Sequence, residues 1–137
     1  MTPRKTQEKK FPKSYAAELL RIAEGDWKTA KALLNHEDIR VENIFYLAEQ
    51  AIEKSLKAVL CHLGEPIPMV HEIAALIAKF PESCELPFGY ELDQLSQFAS
   101  IRRYEEGKVK LTKEEQTAVL QTSSEILQWA KKQILGK

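Results

Sequence analysis

Apolar residues recur along much of this chain at steps of three and four, the spacing of one helix face rather than the alternation of a strand. Tyr15, Leu19, Ile22, Ala23, Ala30, Leu33 and Leu34 predict a first helix over about residues 14–35. Pro12 and Ser14 are residue types favoured at or near its start. Gly25 lies inside the pattern at a cost of about 1 kcal/mol relative to alanine, and reads as a tolerated defect rather than a close helix crossing. After a linker at 36–40, a second helix is predicted over 41–63. It carries two apolar stripes, Phe45-Ala48-Ile52-Val59-Leu63 and Ile44-Leu47-Ala51-Ala58, which together form a face wide enough to meet two neighbours. Gly64 provides its stop, and Pro66 and Pro68 enforce the break.

A short helix at 71–80, closed by Pro81, is followed by a loop at 82–88 and a helix at 89–103 presenting Leu92, Leu95, Phe98 and Ala99. Thr112 and Glu115 form a capping box for the last helix, 113–135, with Val119, Ile126, Trp129, Ala130 and Ile134 on one side. No strand and no internal repeat is predicted. The expected fold class is all-α, an up-and-down four-helix bundle with an additional short helix.

A length of 137 residues suits one core and hardly two. The 20 basic residues match the 20 acidic ones, so the whole molecule has no strong field for nucleic acid or anionic lipid, and DNA-specific recognition is not expected. Residues 1–11, with Arg4, Lys5, Lys9 and Lys10, are expected to form a flexible basic tail ahead of a bundle domain at 12–137. Cys61 and Cys84 belong to no CxxC pair and read as free thiols in a reducing compartment. The N-terminus lacks the apolar stretch of a secretory signal, and no run approaches the roughly 18 apolar residues that span a bilayer. A cytoplasmic location is therefore expected, with no membrane association.

Polar positions on otherwise apolar helices carry the candidate chemistry. Asp26 falls on the stripe between Ile22 and Ala30, while Gln50, Glu53, Lys54 and Lys57 share one flank of the second helix. A buried charge needs a partner, and Lys54 or Arg103 can supply one for Asp26. One reading is an ion-pair network that sets helix register. The other is a cleft in which Lys54, Lys57, Arg102 and Arg103 receive a phosphate, arginine giving forked contacts and lysine a point charge.

His71 is followed by Glu72, but Ala75 stands where the second histidine of an HExxH zinc motif belongs. His71 is expected to help start its short helix, with a ring nitrogen bonded to backbone. No metal site, cofactor, Gly-rich phosphate loop or nucleophilic triad is expected. Trp27 and Trp129 read as core or dimer packing.

The run Gln50-Ala51-Ile52-Glu53-Lys54-Ser55-Leu56-Lys57-Ala58 resembles the Gln-x-x-Glu-Lys-x-x-Lys-Ala run of the prokaryotic HEPN domain. Asp26 with Ala30, the Gly64–His71 segment through Pro66 and Pro68, Leu76, and the pair Arg103-Tyr104 resemble further family motifs in the same order, over about residues 14–135. The resemblance implies a compact helical bundle that commonly dimerises and is often encoded beside, or fused to, a minimal nucleotidyltransferase. Some members are ribonucleases, including toxins; others bind nucleotides or act as substrate-binding subunits.

The ribonuclease members follow an arginine with four to six intervening residues and then a histidine, a cation and a general acid or base for phosphodiester cleavage. Counting from Arg102 and Arg103, the permitted positions are Gly107, Lys108, Val109 and Lys110, and none is histidine. The expected function is therefore a non-catalytic nucleotide- or phosphate-binding subunit, a homodimer acting with a separate minimal nucleotidyltransferase. Asp26, Gln50, Glu53, Lys54, Lys57, His71, Arg102, Arg103 and Tyr104 are its candidate ligand-binding residues. The alternatives are a metal-independent, toxin-like ribonuclease acting on RNA, with His71 reaching a partner across a dimer, and a ligand-free dimerisation module.

Overall fold

The computed structural model describes residues 8–104 and 111–136, with side chains over 8–97 and 111–136. Five helices follow in order: α1 (Tyr15–Leu33), α2 (Glu42–His62), α3 (Ile73–Ile77), α4 (Glu91–Tyr104) and α5 (Lys113–Leu135). Two two-residue strands, β1 (Glu8–Lys9) and β2 (Ile67–Pro68), pair antiparallel, with Glu8 opposite Pro68 and Lys9 opposite Ile67. The architecture is all-α, and that single strand pair is its sole sheet among the described residues.

Helix α2 is the central element, packed against α1, α3, α4 and α5. Its wide apolar face explains this position, since Ile44, Phe45, Ala48, Ile52, Leu56, Val59 and Leu60 are all buried. The core divides into two linked clusters. One gathers Leu19, Leu20, Leu56, Leu60, Leu76 and Leu127 with their neighbours; the other gathers Ala30, Ile44, Phe45, Leu111, Val119 and Leu120. Trp27 packs against both, and its Nε1–H donates to the Leu120 carbonyl at 3.0 Å, pinning α1 to α5.

The helix ends follow local chemistry. At the end of α2, Gly64 adopts φ +79°, Glu65 N–H donates to the Leu60 carbonyl at 2.9 Å and Gly64 N–H to that of Cys61 at 3.1 Å. This is a Schellman motif, which needs a left-handed residue at that position. Thr112 Oγ1 accepts from Glu115 N–H at 3.1 Å, and Glu115 Oε1 accepts from Thr112 N–H at 3.0 Å, completing the capping box. Ser14 makes no side-chain cap. Gly25 is exposed, and a Cβ built there meets nothing within 4 Å, so it is a tolerated defect and not a crossing point.

The basic segment departs from a free tail as far as its described part goes. Beyond the β1–β2 pairing, Phe11 stacks on Tyr15 with centroids 5.0 Å apart, Glu8 pairs with Lys79, and the Pro12 carbonyl accepts from Cys61 Sγ at 3.2 Å. The short helix is trimmed to Ile73–Ile77 because Glu72 before it is extended, at ψ 120°.

Candidate functional site

Two stripes of polar residues run along α2 at four-residue spacing, Glu49-Glu53-Lys57 and Gln50-Lys54, where helical pitch places them side by side. The second stripe meets α1: Lys54 Nζ lies 2.6 Å from Asp26 Oδ2, with about a quarter of each side chain exposed. The pairing expected of Asp26 is thus made by Lys54. It is shorter than an ordinary charged hydrogen bond and only partly wet, so Coulomb attraction is less screened than at an open surface.

The first stripe meets the loop before α3, and α4. Glu53 is a buried carboxylate, its side chain 3% exposed. Lys57 Nζ stands 3.8 Å from its Oε2, and His71 Nδ1 stands 3.0 Å from its Oε1. A carboxylate this deep requires such partners, because losing hydration without compensation would expel the charge. His71 is itself 85% exposed. Its ring nitrogen therefore engages the Glu53 carboxylate, not the backbone as expected from sequence, and it precedes α3 without capping it. With Nδ1 held by Glu53, the second ring nitrogen is left for water or a ligand.

One turn earlier, Ser96 Oγ of α4 donates to Glu49 Oε1 at 2.8 Å. Neither residue stood among the sequence candidates, although the i, i+4 spacing of Glu49 from Glu53 is the signal that could have found the first. Beneath them, the space walled by Ile52, Ile73, Leu92 and Leu95 is packed too tightly to admit a water molecule. Any ligand of this flank would sit on its outer edge and not inside the bundle.

Asp26, Glu53, Lys54, Lys57 and His71 are thus brought together along one edge. Gln50 shares the edge, half-buried, and its side chain makes no hydrogen bond among the described residues. The side chains of Arg102, Arg103 and Tyr104 lie outside the described residues; their backbone occupies the last turn of α4. Among the described residues, no three His, Cys, Asp or Glu side chains gather to hold a metal ion, and no helix is long and apolar enough to cross a membrane. Cys61 and Cys84 carry free thiols, both pushed above their ordinary pKa by burial, which disfavours the nucleophilic thiolate.

Away from this edge, the α1–α5 seam holds Glu24, whose Oε1 accepts from Lys131 Nζ at 2.9 Å and lies 3.7 Å from Lys28 Nζ. The Lys131 ammonium holds the Glu24 carboxyl below its ordinary pKa.

The fold is similar to that in the crystal structure of TT1696 from Thermus thermophilus. The match has a TM-score of 0.67 at 21% identity, over 87% of this chain and 98% of TT1696. No curated protein matches the chain. Residues 16–134 match the HEPN domain family, a span that includes α1 to α5 almost entirely and every candidate residue of the α2 edge. The chain belongs to the HEPN family.

Proposed function

We propose that this chain is a non-catalytic HEPN subunit that binds a nucleotide or another phosphate-bearing ligand along the α2 edge, acting as a homodimer with a separate minimal nucleotidyltransferase. The observation that carries this reading is the contrast within one hydrogen-bonded cluster: Glu53 is 3% exposed while its partner His71 is 85% exposed. A network that only locks helix register needs its carboxylate compensated but does not need an end open to water. A binding edge needs that end.

In this reading Lys54 and Lys57 supply point charges, and Asp26 and Glu53 hold them in place until a phosphate competes for them. Glu53 fixes the His71 ring so that its free nitrogen faces the ligand. Arg102 and Arg103, in the last turn of a helix packed on α2, are the natural source of forked contacts. The missing histidine after Arg102 and Arg103 favours binding over RNA cleavage. A cytoplasmic setting, where thiols stay reduced, is the compartment this reading assumes.

The test is calorimetric titration of the purified protein with ATP, ADP and AMP, alongside a Lys54→Ala/Arg103→Ala variant. The expected result is saturable binding that the variant loses. Absence of saturable binding in the unmodified protein would sink the reading and leave the toxin-like ribonuclease and the ligand-free dimerisation module, which an RNA-cleavage assay separates.

A further inference from the structure

The loop leading into α4 and the start of that helix form a second surface, independent of the α2 edge. Between Phe80 and Gln97 the chain has no Lys, Arg or His, against four carboxylates at Glu82, Glu85, Glu91 and Asp93. In a molecule with no net charge this concentrates negative charge in one stretch of the sequence, of which Glu91 borders the groove beside Phe88. Glu82, Glu85 and Glu91 are exposed and have no cationic partner among the described residues. Lys79, just before the segment, is already paired with Glu8. Glu125 adds a further exposed carboxylate on α5, three residues from Thr122.

Exposed aromatic residues lie in the same stretch. Tyr90 is 63% exposed and Phe88 38% exposed, whereas Leu86 and Phe80 nearby pack on the core. Phe88 holds φ +66°, a left-handed conformation unusual for a bulky residue. It borders an open groove of about 220 Å³ lined with Glu91, Leu92, Leu95 and Thr122. Scattered exposed apolar residues are ordinary, but Phe88 lines the groove beside Leu92 and Leu95, and the exposed Tyr90 stands two residues on, which together suit a contact surface. The groove is smaller than the roughly 300–1,000 Å³ of small-molecule sites, which suits an inserted side chain better than a whole cofactor.

We infer that this aromatic-edged groove, formed by the start of α4 and by Thr122 in the middle of α5, docks a basic segment of a partner protein, with one apolar side chain in the groove and flanking Lys or Arg residues over Glu82, Glu85 and Glu91. Charge complementarity identifies the occupant: the carboxylates are unanswered within the described chain, and opposite charge on a partner steers and orients its approach. The apolar anchor supplies what charge alone does not, because exposed ion pairs are screened by salt.

The probe is a synthetic peptide with one Phe between pairs of Lys, titrated into the isotope-labelled full chain and followed by NMR. Saturable shifts are expected at Phe88, Tyr90, Leu92, Leu95 and Thr122. Binding is expected to fall by roughly tenfold in Glu82→Gln/Glu85→Gln/Glu91→Gln, which alters only exposed positions. A similar fall is expected in Phe88→Gly, which suits the left-handed backbone, and with a peptide whose Phe is replaced by Ser. Shifts centred elsewhere, no saturable binding, or unchanged binding by the triple variant would overturn the inference. So would concentration-dependent self-association through this face, which would assign it to a second copy of the chain.

Discussion

The α2 edge and the acidic surface at the start of α4 are both built from charged residues, yet they treat charge in opposite ways. Along α2, Asp26 meets Lys54 at 2.6 Å, and Glu53 meets both Lys57 and His71. At the second surface, Glu82, Glu85 and Glu91 stand in water with no cation of the described chain beside them. Burial accounts for the difference. A carboxylate that is 3% exposed cannot persist without compensation, whereas an exposed one is compensated by solvent. Charges of the first kind are tied to folding, and any ligand must compete with their existing partners. Those of the second kind contribute little to the fold and are free to act outward.

The largest expected effect comes from breaking the first kind. Glu53→Ala would leave Lys57 and His71 without their carboxylate and is expected to destabilise the protein by about 2–3 kcal/mol. This is less than the full cost of breaking a buried pair, because His71 and part of Lys57 reach water. Urea unfolding measures it, and a loss under about 1 kcal/mol would show that Glu53 is not held as described.

Gly25→Ala gives a control on α1 beside Asp26. The position is exposed with open space around a Cβ, so the substitution is expected to stabilise by about 0.5–1 kcal/mol without touching the Asp26–Lys54 pair. A destabilisation in the same assay would mean that Gly25 serves a close approach.

Glu24, a half-buried carboxylate paired with Lys131, lies between the two kinds of charge and reports through pH. Lys131 depresses its folded pKa below the ordinary value of 4.5. Its contribution is therefore present above that value and lost as pH falls through the lower, folded pKa. With a third of the side chain exposed, the contribution is at most about 1 kcal/mol. Glu24→Gln should be less stable than the unmodified protein at about pH 7, and the two should converge in acid below pH 4.5; a gap that widened with acid would contradict the assignment.

The smallest effect belongs to the second surface. Glu82→Gln, Glu85→Gln and Glu91→Gln are each expected to change stability by no more than about 0.5 kcal/mol. A loss comparable to that of Glu53→Ala would erase the distinction between the two regions.

Most of the fold was legible because it follows from periodicity and punctuation. The Leu, Ile and Ala steps of α1, α2 and α5 marked their buried faces, Thr112 and Glu115 marked a helix start, and Gly64 marked a helix end. The β1–β2 pair was not legible, since two residues such as Glu8 and Lys9 are too few to show a period. In the site, Asp26 with Lys54 was readable from the rule that a charge on an apolar stripe needs a partner. His71 with Glu53 was not, because their meeting depends on how the chain turns between Gly64 and Ile73, a tertiary matter that helix spacing does not encode. The groove beside Phe88 escaped for the same reason: one wall comes from the α4 region and the other from Thr122 of α5.

In the function proposed above, the α2 edge accepts a phosphate by competition with its own carboxylates. Equilibrium titration with ATP, comparing the unmodified protein with Asp26→Asn, tests it most directly. If Lys54 must leave Asp26 to receive the ligand, both proteins bind saturably and Asp26→Asn binds about fivefold more tightly. No saturable binding in either protein, or weaker binding in Asp26→Asn, would contradict the account.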